Sequence, residues 1–120
     1  MTEQSTNANA ESVLLTRDGA VATLSLNRPA ALNALDLPMM DALVARIATI
    51  SADSALRVVV LQGAGKHFMA GGDLKTFAAR LDGEPAQRQA EFQRIVARLH
   101  AAIEHVQRMP QVVICALRGA

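Results

Sequence analysis

The chain has 120 residues, enough for one domain or part of one, and 51% of them are apolar, ample material for a core. Only 2% are aromatic, with no Trp and no Tyr, which argues against the stacking platforms that single-stranded nucleic acids need. Twelve basic and eleven acidic side chains are interspersed to a net charge of +1, so no nucleic-acid partner and no membrane-surface helix is indicated.

No uncharged apolar run is long enough to read as a membrane span. The opening MTEQSTNANAES lacks an apolar signal core, so residues 1–11 read as a disordered tail and 12–120 as the folded part. Cys115 is the only cysteine, which excludes an internal disulfide. The simplest expectation is a cytoplasmic protein.

SVLLTR and VATLSL flank Asp18-Gly19, a pairing that predicts a hairpin with a type I′ turn. Pro29 breaks the strand pattern and biases Arg28 away from helix. A helix is predicted from near Pro38, with Met40, Leu43, Val44, Ile47 and Ile50 on its apolar face. RVVVLQ has no polar alternation and reads as a strand covered on both faces. A glycine loop over residues 63–72 follows. Asp73 then caps a short helix over 74–81, a turn lies around Gly83 and Pro85, and a long helix carries Phe92, Ile95, Val96, Leu99, Ile103 and Val106 in one stripe. Pro110 ends that helix, and VVICAL reads as a second buried strand. Helices alternating with strands after the hairpin imply an α/β fold with a mostly parallel sheet. The chain's end on an apolar strand and a Gly-Ala dipeptide suggests the front part of a longer protein.

The loop GAGKHFMAGGDLK raises the question of chemistry. It fails the phosphate-loop pattern, because Gly65-Lys66 is followed by His67, and it fails the dinucleotide fingerprint, because Phe68 stands at the third glycine position. A strand–loop–helix junction rich in glycine can also present unpaired backbone N–H groups to a carbonyl oxygen gaining negative charge. A turn requirement alone accounts for Gly71-Gly72 equally well.

NRPAALNAL, RVVVLQGAGKHFMAGGDLK and PQVVICALRGA, in that order, resemble segments of the crotonase family, the enoyl-CoA hydratase/isomerase superfamily. The resemblance covers about residue 12 to the end. It implies a spiral of ββα turns, incomplete in this chain, and assembly as a homotrimer or hexamer. It implies an acyl-CoA thioester as partner, with coenzyme A carried in the substrate and no separate cofactor or metal.

Further implications fall on single residues. Gly72 supplies one backbone amide of the oxyanion hole, with Gly71 and Asp73 flanking it. Main-chain carbonyls from the segment of Ala34 and from the loop of Ala70 and Leu74 hold adenine. Lys75 approaches the CoA phosphates, with Lys66 as a weaker candidate, and Ala30 lines the CoA groove. The second amide and the two glutamates of the hydratases lie beyond Ala120. The reaction so implied is addition of water to a 2-enoyl-CoA. Double-bond isomerisation, another crotonase-type reaction on an acyl-CoA, or a noncatalytic acyl-CoA-binding subunit are the alternatives. Replacing Gly72 by Ala keeps the amide and is expected to be mild.

The remaining residues read more simply. Asp73 fits an N-cap better than a substrate-side acid. His67 fits a turn or solvent role, and His100 and His105 are five apart, missing the spacing of a helical metal pair. Cys115 reads as a buried inert thiol. Phe68 and Met69 suit an acyl pocket or packing beneath the loop equally. Asp82 and Glu84 read as solvated turn residues.

Overall fold

The computed structural model describes residues 11–120. The expected tail lies outside the described residues except for Glu11, whose backbone oxygen accepts from Asn27 Nδ2 (3.2 Å) and whose carboxylate sits 3.6 Å from Arg46. Four strands form one sheet in the order β1 (Val13–Asp18), β2 (Val21–Leu26), β3 (Val58–Gly63) and β4 (Val112–Ala116). β1 and β2 are antiparallel, and the other two pairings are parallel. Each parallel step needs a crossover: α1 (Leu37–Ser51) links β2 to β3, and α2 (Leu74–Arg80) with α3 (Pro85–Arg108) links β3 to β4.

The hairpin forms as expected, but its turn differs. Asp18 pairs with Val21, so the two-residue loop is Gly19-Ala20, and of these only Gly19 has positive φ (60°). That is the pattern of a II′ turn, which needs glycine at the first central position alone. α1 starts at Leu37 because Asp36 accepts from Met39 N (2.9 Å) and proline occupies the first turn. Its far end is closed by the buried Gln111, whose Nε2 donates to the carbonyls of Ile50, Asp53 and Leu56. α3 stops at Arg108 because Met109, which precedes Pro110, is extended (φ −67°, ψ 147°).

The core lies between one face of the sheet and α1. Val13, Ala22, Leu24, Leu26 and Val59 meet Leu37, Met39, Met40, Ile47 and Ile50, each buried. Fully burying one such side chain contributes about 1.5–3 kcal/mol. α3 packs along α1 through Ile95 and Ala102, both buried. Phe92 and Ile103 belong to the predicted stripe yet are 48% and 45% exposed. A stripe wider than one contact line leaves its margins in solvent when only one helix lies alongside.

Two expectations about the strands are corrected. Val58 and Val60 on the outer face of β3 are only half-buried, although Val59 on the inner face is buried. VVICAL is not buried: Val112, Ile114 and Leu117 are 61%, 51% and 68% exposed, and Cys115 is exposed too. Among the described residues β4 is an edge strand paired with β3; Val113 on its inner face packs against the core, while Cys115 further along that face is exposed. Apolar content therefore did not translate into burial there.

Candidate functional site

The two loops that follow β2 and β3 leave the sheet side by side. Leu26 and Gly63 form the last rung of the parallel ladder, and Ala64 N still donates to Leu26 O (2.8 Å). Beyond it, residues 28–36 and 64–73 are joined by side chains and isolated backbone bonds instead of a continuous sheet.

Asn33 is the first link. It is fully buried, and Asn at φ 55° is tolerated where most side chains are strained. Its Nδ2 donates to Ala64 O and His67 O (2.9 Å each), and its Oδ1 accepts from Arg28 N (2.8 Å). Ala70 N donates to Leu32 O (3.1 Å). A short parallel bridge then aligns Leu35 with Gly72: Leu35 N donates to Gly71 O and Asp73 N donates to Leu35 O, both at 2.8 Å. Along an extended segment, successive residues aim their polar groups to opposite sides. With the groups of Gly71 and Asp73 turned toward Leu35, the N–H of Gly72 points away. It has no hydrogen-bond partner among the described residues, and Gly72 is exposed.

These loops enclose an open groove of about 670 Å³. Arg28, Ala30, Leu32 and Ala34 line one side, and Ala70, Gly72, Asp73, Leu74 and Lys75 the other. Seven of the eight site residues picked from the sequence thus share one wall or the other. The eighth, Gly71, is not on the lining; at φ 102° it turns the chain and offers its carbonyl to Leu35. Lys66 is exposed and also off the lining. Lys75 makes no ion pair among the described residues. Ala30, Ala34 and Ala70 leave the walls smooth, so the groove's polar character comes from main-chain atoms and its charged rim.

Asp73 caps α2 as expected: its Oδ1 accepts from Thr76 N (3.2 Å). That bond, joined by Arg28, holds the carboxyl below the usual aspartate range despite some desolvation. Arg28 was visible in the sequence only as the residue before a proline. In the structure its guanidinium reaches Asp73 Oδ2 (3.1 Å), Asp36 Oδ2 (3.3 Å) and the Ala34 carbonyl. The Ala34 oxygen is therefore already an acceptor, with one lone pair left for any ligand.

His67 follows the Gly65-Lys66 turn, and its Nδ1 accepts from Ala120 N (3.1 Å), a partner 53 positions away that its place in the loop did not suggest. Met69 packs against the core, and its Sδ lies 3.2 Å from Gly71 N. No cluster of three potential metal ligands occurs among the described residues. No helix among them is long and apolar enough to cross a membrane.

The site is thus a groove framed by the loops after two parallel strands of a mixed sheet, with an unpaired glycine amide on its wall, in an α/β architecture. Residues 21–120 match the enoyl-CoA hydratase/isomerase family, and the chain belongs to that family. The Bacillus subtilis protein YhaR, named for enoyl-CoA hydratase/isomerase, is 35% identical over 103 residues, which are 86% of this chain and 38% of YhaR. The small ribosomal subunit protein mS47 of Schizosaccharomyces pombe is 33% identical over 88 residues, 72% of this chain and 20% of that protein. Among solved structures, Pseudomonas aeruginosa AtuE superposes with a TM-score of 0.82 at 34% identity, covering 92% of this chain and 41% of AtuE. The fold is therefore the crotonase fold, and the chain spans about two-fifths of the length of the first curated relatives it matches.

Proposed function

We propose that the groove holds an acyl-CoA thioester and that the Gly72 N–H donates to its carbonyl oxygen as negative charge builds there. The observation that carries this reading is the unpaired, exposed amide of Gly72 on the groove wall. A fixed donor of this kind costs no reorganisation during reaction, and loss of one such donor lowers turnover by about 10²–10³-fold. Lys75, at the rim, suits the phosphates of the CoA moiety, and the carbonyls of the Ala34 and Ala70 segments suit an amino donor such as adenine N6. Ala30 keeps the wall low enough for an extended pantetheine arm.

In the complete protein the reaction is hydration of a 2-enoyl-CoA. Polarising the thioester carbonyl makes Cβ electrophilic; water adds at Cβ and a proton is delivered to Cα. The groups that handle the water and the proton lie outside residues 11–120 in this reading. Isomerisation of the double bond passes through the same enolate with a single base. Assembly as a trimer or paired trimers belongs to the same proposal, with sedimentation velocity as its check.

A second reading is favoured by one observation: a ribosomal protein, mS47, is among the relatives at 33% identity. Under it the groove binds acyl-CoA or a partner without turnover. The deciding experiment measures loss of the enoyl-thioester absorbance with the full-length protein, alongside calorimetric titration with CoA. Turnover that falls far more in Gly72→Pro than in Gly72→Ala supports the enzyme, since both add a Cβ against Phe77 but only proline has no N–H to donate. CoA binding without turnover supports the binding subunit. Neither binding nor turnover overturns the enzyme and the acyl-CoA-binding subunit alike.

A further inference from the structure

We propose that Arg28 is a positioning residue for the Gly72 amide: its guanidinium neutralises the Asp73 carboxylate and holds it off the oxygen that Gly72 would receive. This rests on the acyl-CoA reading above and adds to it a residue that does not touch the reacting atoms.

The inference starts from the placement of charge. Asp73 follows Gly72 directly in the chain and lines the same groove. A negative group there opposes any negative charge that develops at Gly72. Its side chain is 15% exposed. Thr76 N accounts for one carboxylate oxygen, and Arg28 Nη2 accounts for the other at 3.1 Å.

The same guanidinium bridges the two loops that frame the groove. Its Nε faces Asp36 Oδ2 at 3.3 Å and its Nη1 donates to the Ala34 carbonyl. One planar fork thus ties the caps of α1 and α2 together. Lysine supplies a point charge and cannot reach three acceptors in that geometry. The backbone of Arg28 is itself fixed, because its N–H donates to the buried Asn33. Arg28 is held from behind and aimed at the two carboxylates.

A purely structural ion pair and a positioning residue make different predictions. If Arg28 acts by cancelling the Asp73 charge, its loss lowers kcat, where charge develops, and leaves KM nearly alone. Removing the Asp73 charge then restores what was lost, and asparagine keeps the helix cap.

The test uses the full-length protein and a 2-enoyl-CoA. Arg28→Gln is expected to lower kcat by about 10–50-fold with KM within about 3-fold of wild type. Adding Asp73→Asn to it is expected to recover at least about 5-fold of that loss. Arg28→Lys, which keeps a cation beside Asp73, serves as the arm that does not depend on the glutamine variant folding; its kcat is expected to fall by less than about 10-fold at unchanged KM. Wild-type kcat in Arg28→Gln, a loss confined to KM in either variant, or no recovery in the double variant overturns the proposal for Arg28 while leaving the acyl-CoA reading intact. Absence of turnover in the wild-type protein overturns the enzymatic reading, and the role of Arg28 with it.

Discussion

Gly72→Ala gives the sharpest test of how the groove wall is packed. The amide survives this change, so sequence reasoning expects little effect. The structure adds a neighbour: a Cβ at position 72 would lie 2.5 Å from Phe77 Cε2 and 3.2 Å from Cζ. Ordinary carbon contacts begin near 3.5 Å, so the ring or the loop must retreat by about 1 Å. Phe77 packs against the core, which limits where the ring can go. Overpacking of this kind typically costs about 1–3 kcal/mol. Loss of chain entropy in the unfolded state offsets about 0.4–1 kcal/mol when alanine replaces glycine. A net destabilisation of about 0.5–2 kcal/mol is expected from these two effects. Leucine at 77 lacks the two ring atoms that collide. Phe77→Leu alone should destabilise modestly, and the double variant should be more stable than additivity predicts by at least about 0.5 kcal/mol. Urea denaturation of the four proteins measures the cycle. Wild-type stability in Gly72→Ala, or strict additivity in the double variant, would refute the packing argument.

Gly71→Val tests the other glycine by a different mechanism. Nothing lies within 4 Å of a Cβ at 71, but φ is 102°, so the cost is conformational and is expected to exceed about 1 kcal/mol in the same denaturation assay. Gln111→Leu strips the shared donor from three carbonyls at the end of α1; a loss of about 2–3 kcal/mol is expected, and hydrogen exchange should rise first around Ile50 and Leu56. Acid should destabilise the fold through Asp73, bonded to Thr76 N and Arg28, and Asp53 and Glu91, paired with Arg17 and Arg94, because all three carboxyls are held below their ordinary values. A depressed carboxyl contributes fully above its unfolded pKa, about 3.9 for Asp and 4.3 for Glu, and that contribution is lost as pH falls through the folded value. The urea midpoint should therefore drop below about pH 4, and less steeply in Asp73→Asn.

Much of this architecture could be read along the chain. The hairpin, α1, β3, the Asp73 cap and the end of α3 before Pro110 all follow from local chemistry: turn glycine, capping oxygen, apolar period and proline. The groove residues were reached by resemblance of motifs, and the structure gathers seven of the eight on its lining. Arg28 and Asn33 were missed because their roles exist only across the gap between two loops, and no local period marks such a pairing. A buried asparagine just after a proline turn, at a position needing positive φ, is the kind of signal that could have suggested the second. The exposure of Val112, Ile114 and Cys115 was missed for the opposite reason: an apolar run reports what a strand would bury, not what lies over it.

The parallel pairing of β2 with β3 also sets a timetable. Arg28 and Asp73 are 45 positions apart, and Asn33 and His67 are 34 apart, so every stitch across the groove closes a long stretch of chain. Such closures are paid in entropy before they return any energy, and they slow folding relative to the neighbouring hairpin. The groove consequently matures after the hairpin. A chain still emerging from synthesis would acquire its hairpin early and its groove only after β3 and the capped helix beyond it had docked.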